Sequence, residues 1–200
     1  VGLFAIPGII FLLYWPKILE ATFAFKLHNS LLVNASIMSF YLIPFFSILH
    51  FFQKKNLFQK KRLLELSLIS IFVVLCSLYF DYNYLLGGGF FIKFSKIFFN
   101  NFYLFYLTSI IGFFLLYLLS LENRLNLFLS LIFLFSISAY IIFMKYYEPM
   151  FIIILFLLFK TNLTSTFINN IKYIYIYHLY FLTYLISAII NSFLLLSKNI

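Results

Sequence analysis

Of the 200 residues, 65% are hydrophobic and only 10% charged, with a mean hydropathy of +1.08, against about 25% charged residues in a typical globular domain. A soluble fold of this size has no interior for 31 Phe and 16 Tyr, so composition excludes one and points to an all-α, polytopic transmembrane helical bundle whose backbone satisfies itself within hydrocarbon. The net charge of +9 falls in short connections, where it speaks for topology and contact with membrane lipid and not for nucleic acid.

Abundant Phe, Ile, Tyr, Asn and Lys together are what an A/T-rich genome selects by codon, so single residues of these types carry little weight. Scarce residues carry more: five carboxylates, three histidines, one Trp and four prolines. The single cysteine, Cys76, lies in an apolar run and reads as a small buried residue, which leaves no disulfide framework or cysteine metal site. No motif points to a cofactor, and a need for divalent metal is left open.

With about 20 apolar residues required per span, the chain divides into about seven hydrophobic segments. The first, residues 1–15, begins at Val1 inside an apolar stretch and reads as the remainder of a longer chain. An amphipathic connection, "PKILEATFAFKLHNS" at 16–30, carries Glu20, His28 and Asn29. The second and third segments, 31–52 and 63–80, flank "QKKNLFQKKR", which holds Lys54, Lys55, Lys60, Lys61 and Arg62. The positive-inside rule places 53–62 in the cytoplasm of an integral membrane protein, with a bacterial inner membrane as the expected location.

By alternation, residues 16–30, 81–101 and 145–148 face outward. The loop "DYNYLLGGGFF" brings Asp81 and half of the chain's six glycines to that side. "FFIKFSKIFFNN" follows it, with Lys93, Lys96 and Asn100 at helical spacing against an aromatic face, and predicts an interfacial amphipathic helix within 81–101. Gly87, Gly88 and Gly89 running into that helix would expose N–H groups to an anion, with Lys93 and Lys96 beside it. The competing reading is a bend where the chain leaves a span. The glycines fit neither the Walker spacing nor the dinucleotide fingerprint.

Segments four and five, 102–121 and 125–144, enclose a tight inward turn with Glu122 and Arg124. The sixth, 149–159, is short for a span, and either draws on "KTNLTSTF", re-enters, or packs against neighbours. It opens as "MKYYEPMF", where Pro149 suits a first helical turn and Glu148 the helix dipole. The seventh, 173–196, contains His178; His50 lies at the end of the second. A histidine within a span is either functional or bonded to a neighbouring helix.

"KYYEP" resembles the Arg/Lys-Tyr-x-x-Pro arrangement near the outer face of GT-C type polytopic membrane glycosyltransferases, which take sugars from polyprenyl-phosphate donors. The resemblance implies a lipid-linked sugar donor as partner and a principal catalytic acid upstream of these 200 residues. It leaves Asp81 and Glu148 as secondary catalytic candidates. Gly87, Gly88, Gly89, Lys93, Lys96, Lys145 and Tyr147 become candidates for lipid-phosphate or substrate binding. The alternatives are a transporter, a lipid-linked saccharide flippase, a polysaccharide polymerase, or a membrane subunit without a site. A transporter requires polar or broken-helix features at mid-depth, and the sequence offers only Asn34, Ser36 and Ser39 in one segment and Ser136 and Ser138 in another.

Overall fold

A computed structural model describes residues 27–53, 60–84, 87–135 and 142–197, and every regular element among them is helical. Helices α1 (Leu27–Gln53), α2 (Lys60–Ser77), α3 (Gly89–Phe99), α4 (Tyr103–Glu122) and α5 (Arg124–Phe135) come first. A 3₁₀ turn at Met144–Tyr146 then leads into α6 (Tyr147–Ile153), which continues as a π turn over Ile154–Leu158. Finally come α7 (Asn162–Ile168) and α8 (Ile171–Ser197). The expected segment 1–15, Glu20, most of the basic connection, and Ser136 with Ser138 lie outside the described residues.

Two helices are long and apolar enough to cross a membrane, Leu27–Phe46 within α1 and Tyr103–Glu122. They run parallel and meet along a seam of small residues. At Gly112 an added Cβ would sit 1.8 Å from the Ala35 carbonyl oxygen, so the two backbones touch as only glycine allows. Beside that contact Ser36 and Thr108 share a hydrogen bond of 2.9 Å, and Ser109 Oγ donates to the Leu32 carbonyl at 2.9 Å. Small residues and hydroxyl bonds are how helices associate where apolar burial offers no advantage. The polar residues of α1 are therefore spent on packing, with Asn34 Nδ2 donating to the Leu134 carbonyl at 2.8 Å.

Three other helices run against this pair. Helix α2 and the residues just past its end oppose α4, with Phe72 on Phe113 and Phe80 on Phe105 at centroid distances of 5.6 and 5.0 Å. Helix α5 opposes α4 through Ser130 Oγ on the Leu116 carbonyl, and α8 opposes α1 through Tyr177 on Phe45 and Tyr184 on Phe40. Glu65 lies on α2 near Arg62 and accepts a hydrogen bond from the Tyr117 hydroxyl of α4.

What remains forms two hairpins that leave and return at the same end. At one end Asp81 N–H donates to Asn29 Oδ1 at 3.3 Å, Asn29 Nδ2 donates to the Asp81 carbonyl, and Phe80 packs on Phe102. Between those anchors the chain travels to Gly88 and Gly89, which turn with φ of 92° and 81°, and α3 brings it back. The tip lies against Ile37, 2.8 Å from a Cβ built on Gly89. Ile37 is about 12 Å further along α1 than Asn29 at 1.5 Å per residue. At the tip of this loop Gly87 and Gly88 are both enclosed by protein. The helix after it is present, with Ile92 and Ser95 facing inward.

The second hairpin enters from the other end and is tied at its base by one side chain. Asn126, fully buried, donates to the Leu119 and Lys160 carbonyls at 3.0 and 3.1 Å and accepts the Lys160 N–H at 3.0 Å. Its two limbs are α5 and α6 with the π turn. The fifth hydrophobic segment does not continue as helix to Met144, because the backbone is extended at Phe143 (φ −101°, ψ 133°) and the Ile142 peptide groups bond elsewhere. Gly88 N–H donates to the Ile142 carbonyl at 2.8 Å, and Ile142 N–H donates to the Tyr82 hydroxyl at 2.9 Å. The two hairpins therefore touch tip to tip, beside the middle of the Leu27–Phe46 stretch.

Candidate functional site

The tip junction gathers more chemistry than any other place among the described residues. Its first component is the glycine turn. Positive φ at two successive residues is cheap only for glycine, and a Cβ on Gly88 would strike Ile92 Cγ2 at 2.6 Å. The Gly88 amide is already committed to Ile142, so the turn acts first as a coupling between hairpins.

The second component is the start of α6. Pro149 in the first turn fixes φ without wasting an N–H, and Glu148 places an acid where the helix dipole favours it. Met144, one turn earlier, lies 4.0 Å from the Cβ position of Gly89. Gly89 and Met144, 55 residues apart in sequence, are thereby adjacent in space, which sets the glycines beside the residue that precedes "KYYEP".

The third component is aromatic. Tyr41, 3% exposed, stacks on Phe151 at 4.9 Å and points its hydroxyl at the α6 start, 3.4 Å from Glu148 Oε1 and 3.5 Å from the Met144 carbonyl. Tyr177 and Tyr184 of α8 bring their phenols within electrostatic reach of the same carboxylate. Phe40 and Phe90 close the remaining side against Tyr184. Glu148 itself is exposed. The arrangement is one open carboxylate beside an aromatic cluster, with the Tyr41 hydroxyl facing it.

The sequence-predicted residues separate into those inside this junction and those outside it. Gly87, Gly88, Gly89 and Glu148 are inside, and Lys145 is at its edge, exposed, with Nζ 5.4 Å from the Phe143 ring centroid. Tyr147 is fully buried behind it, its hydroxyl directed at the Phe133 carbonyl at 3.4 Å. Lys93 is exposed one turn along α3, while Lys96 sits in the last turn with Nζ 4.3 Å above Phe102. Lys96 is then about 10 Å along the helix from the glycines. Asp81 is exposed at the hairpin's anchor, and twelve residues of α1 separate its partner Asn29 from Tyr41, about 18 Å. The structure does not bring Asp81 to Glu148.

Among the histidines, His28 Nε2 lies 2.8 Å from the Tyr79 carbonyl, joining α1 to the end of α2, and His178 Nδ1 lies 2.8 Å from the Ile174 carbonyl. Both bond backbone. No group of three or more His, Cys, Asp or Glu among the described residues could hold a metal. Tyr41, Tyr177, Tyr184 and Asn126 are the residues that reading the sequence passed over. Their types are too common here to stand out, and only Tyr41 carries a hint, being among small polar residues in an apolar helix. Comparison with protein-family models, curated proteins and solved structures finds no match.

Proposed function

We propose that the chain is a multi-span membrane transporter or lipid-linked saccharide flippase, in which two re-entrant hairpins from opposite faces meet at mid-depth to form the substrate path. The physics starts from outward-facing side chains. Leu64 and Leu68 on α2, Phe128 on α5, Leu157 at the π turn and Leu179 on α8 are all at least 60% exposed, a surface suited to lipid and costly in water. Helices α2 and α8, with 18 and 27 residues, have the length for about 27 and 40 Å at 1.5 Å per residue. Both join the two apolar helices as spans in this reading.

Irregular backbone at membrane depth is tolerated where it is enclosed by protein or lines a cavity, and discontinuous helices meeting at the midplane are how transporters build binding sites. The single observation that carries the proposal is the tip-to-tip bonding of Gly88 and Tyr82 with Ile142. The Asn126 clamp supports it, since it satisfies the backbone where α6 stops short. An ionisable residue at that depth, Glu148, is by default a functional one.

Sidedness of thiol labelling tests this without knowledge of the substrate. In a Cys76→Ser background, Asn101→Cys and Asn123→Cys should react with a membrane-impermeant maleimide from opposite sides. Lys145→Cys should react from an aqueous side as well. Labelling of Asn101→Cys and Asn123→Cys from one side, or silence at Lys145→Cys from both, removes the proposal.

A glycosyltransferase using a polyprenyl-phosphate sugar is the second reading, favoured by the open carboxylate of Glu148 within "KYYEP". There Glu148 would accept the proton of an attacking hydroxyl. Lys93, Lys145 and the glycine turn would attend the leaving lipid phosphate. Membranes bearing the full chain should then lose sugar transfer in Glu148→Gln, and the Lys93→Ala, Lys96→Ala double variant should use the donor less well. Unchanged kinetics in both removes this reading.

A further inference from the structure

Helix α8 carries two stripes of side chains at helical spacing. Tyr177, Phe181 and Tyr184 form the first and pack on Phe45, Tyr41 and Phe40 of α1. Beside it Tyr175, His178, Leu182, Leu185 and Ile189 follow one another at alternating spacings of three and four residues, and each of them is exposed. An open apolar groove runs along this second stripe, lined by Tyr175, Leu179, Phe181, Leu182 and Leu185 among others. Alternation of three and four is the spacing of a seam between two supercoiled helices, in which side chains of each fill holes on the other. A face that meets only lipid needs neither that period nor a polar member.

The polar members of the stripe say what the seam fits. His178 Nδ1 lies 2.8 Å from the Ile174 carbonyl oxygen. A carbonyl only accepts, so Nδ1 is the donor and the neutral ring keeps Nε2 as an acceptor. Among the described residues no hydrogen bond reaches Nε2, and none reaches the Tyr175 hydroxyl, three residues earlier on the same stripe. The bond to Ile174 draws the imidazole back toward the height of Tyr175. Tyr177, next in the chain to His178, packs on Phe45 inside the apolar stretch Leu27–Phe46. At that level lipid chains supply neither a donor nor an acceptor.

A donor and an acceptor at one height on one stripe satisfy each other when two copies of the stripe face in parallel. Tyr175 of each copy then donates to His178 Nε2 of the other, and a two-fold axis along the membrane normal makes both bonds at once. The stripe is its own complement. We propose that the chain forms a parallel homodimer through the Tyr175–Ile189 stripe of α8, with exchanged Tyr175–His178 hydrogen bonds as its polar layer. Leu182, Leu185 and Ile189 supply the packing, and the polar layer fixes register and direction. The pairing stands apart from the transport reading, because it uses no residue of the tip junction.

The test is disulfide cross-linking of the full chain in membranes, in a Cys76→Ser background. Oxidation should join Leu182→Cys to a second copy and leave Thr183→Cys, exposed one residue off the stripe, monomeric. Leu185→Cys takes its place if Leu182→Cys is not recovered. Energy transfer between labelled copies in phosphatidylcholine vesicles, followed on dilution with lipid, measures the strength of pairing. Tyr175→Phe should weaken it about threefold and His178→Leu by a similar factor, with the double variant no worse than either single one because the same bonds are lost. A monomer means that lipid covers the stripe, and an adduct of another mass means that a different protein does; either result overturns the proposal. Cross-linking at Thr183→Cys equal to that at Leu182→Cys, or pairing unmoved by both Tyr175→Phe and His178→Leu, overturns it as well. Thiol access at Lys145→Cys is read separately, so the dimer and the transport reading fail independently.

Discussion

The α1–α4 seam and the tip junction lie at the same height in the molecule and are built on opposite rules. At the seam, Ala35, Ser36, Thr108, Ser109 and Gly112 are small, and Ser36, Thr108 and Ser109 have hydrogen-bond partners at ordinary distances. At the junction the residues are large and aromatic, two glycines hold positive φ, and the Tyr41 hydroxyl is left with long contacts. A seam of that kind fixes two helices permanently. A junction of that kind is held by a few bonds between segments that each anchor elsewhere, which is what a part that opens requires.

The sharpest way to break the comparison is to make the seam fail. Gly112→Leu should abolish folded protein, and Gly112→Ala should cost about 3 kcal/mol, because the Ala35 carbonyl is backbone and cannot step aside. Thermal unfolding of purified protein measures both. Next in size is Asn126→Leu, which strips partners from the Lys160 N–H and carbonyl groups and should cost about 2 kcal/mol. Gly88→Ala should cost a similar amount, about 2 kcal/mol, from the left-handed conformation and the Ile92 contact. Unlike Gly112→Ala, it should also change maleimide access at Lys145→Cys in protein that still folds. Tyr82→Phe removes the acceptor for Ile142 N–H and should cost about 1 kcal/mol, again with altered access. Smallest is Ser36→Ala, at about 0.6 kcal/mol for one interhelical bond, with no change in access. Equal effects on access from seam and junction variants would erase the distinction.

The elements themselves were legible. Apolar runs located α1, α2, α4 and α8 to within a few residues, and Glu148 with Pro149 marked the start of α6 because dipole and proline preferences act locally. The glycines marked a turn for the same reason. Their depth was not legible, since it depends on Asn29 holding Asp81 and on Ile142 receiving Gly88, contacts between residues 52 and 54 apart in sequence. The interruption between α5 and α6 was hidden in an uninterrupted apolar run. Hydrophobicity reports that a segment avoids water and says nothing of which carbonyl its amides will find.

The same division holds for the site. Sequence by itself determined the helical class, the apolar surface, the scarce carboxylates and the position of Glu148 at a helix start, all consequences of composition and of interactions within a turn or two. Tertiary structure alone decided that Glu148 faces Tyr41, that Lys96 points away from the glycines toward Phe102, and that Asn126 closes a hairpin. Those outcomes follow from the packing of large side chains against distant backbone, and sixteen tyrosines in one chain look alike until the fold turns the hydroxyl of Tyr41 toward Glu148.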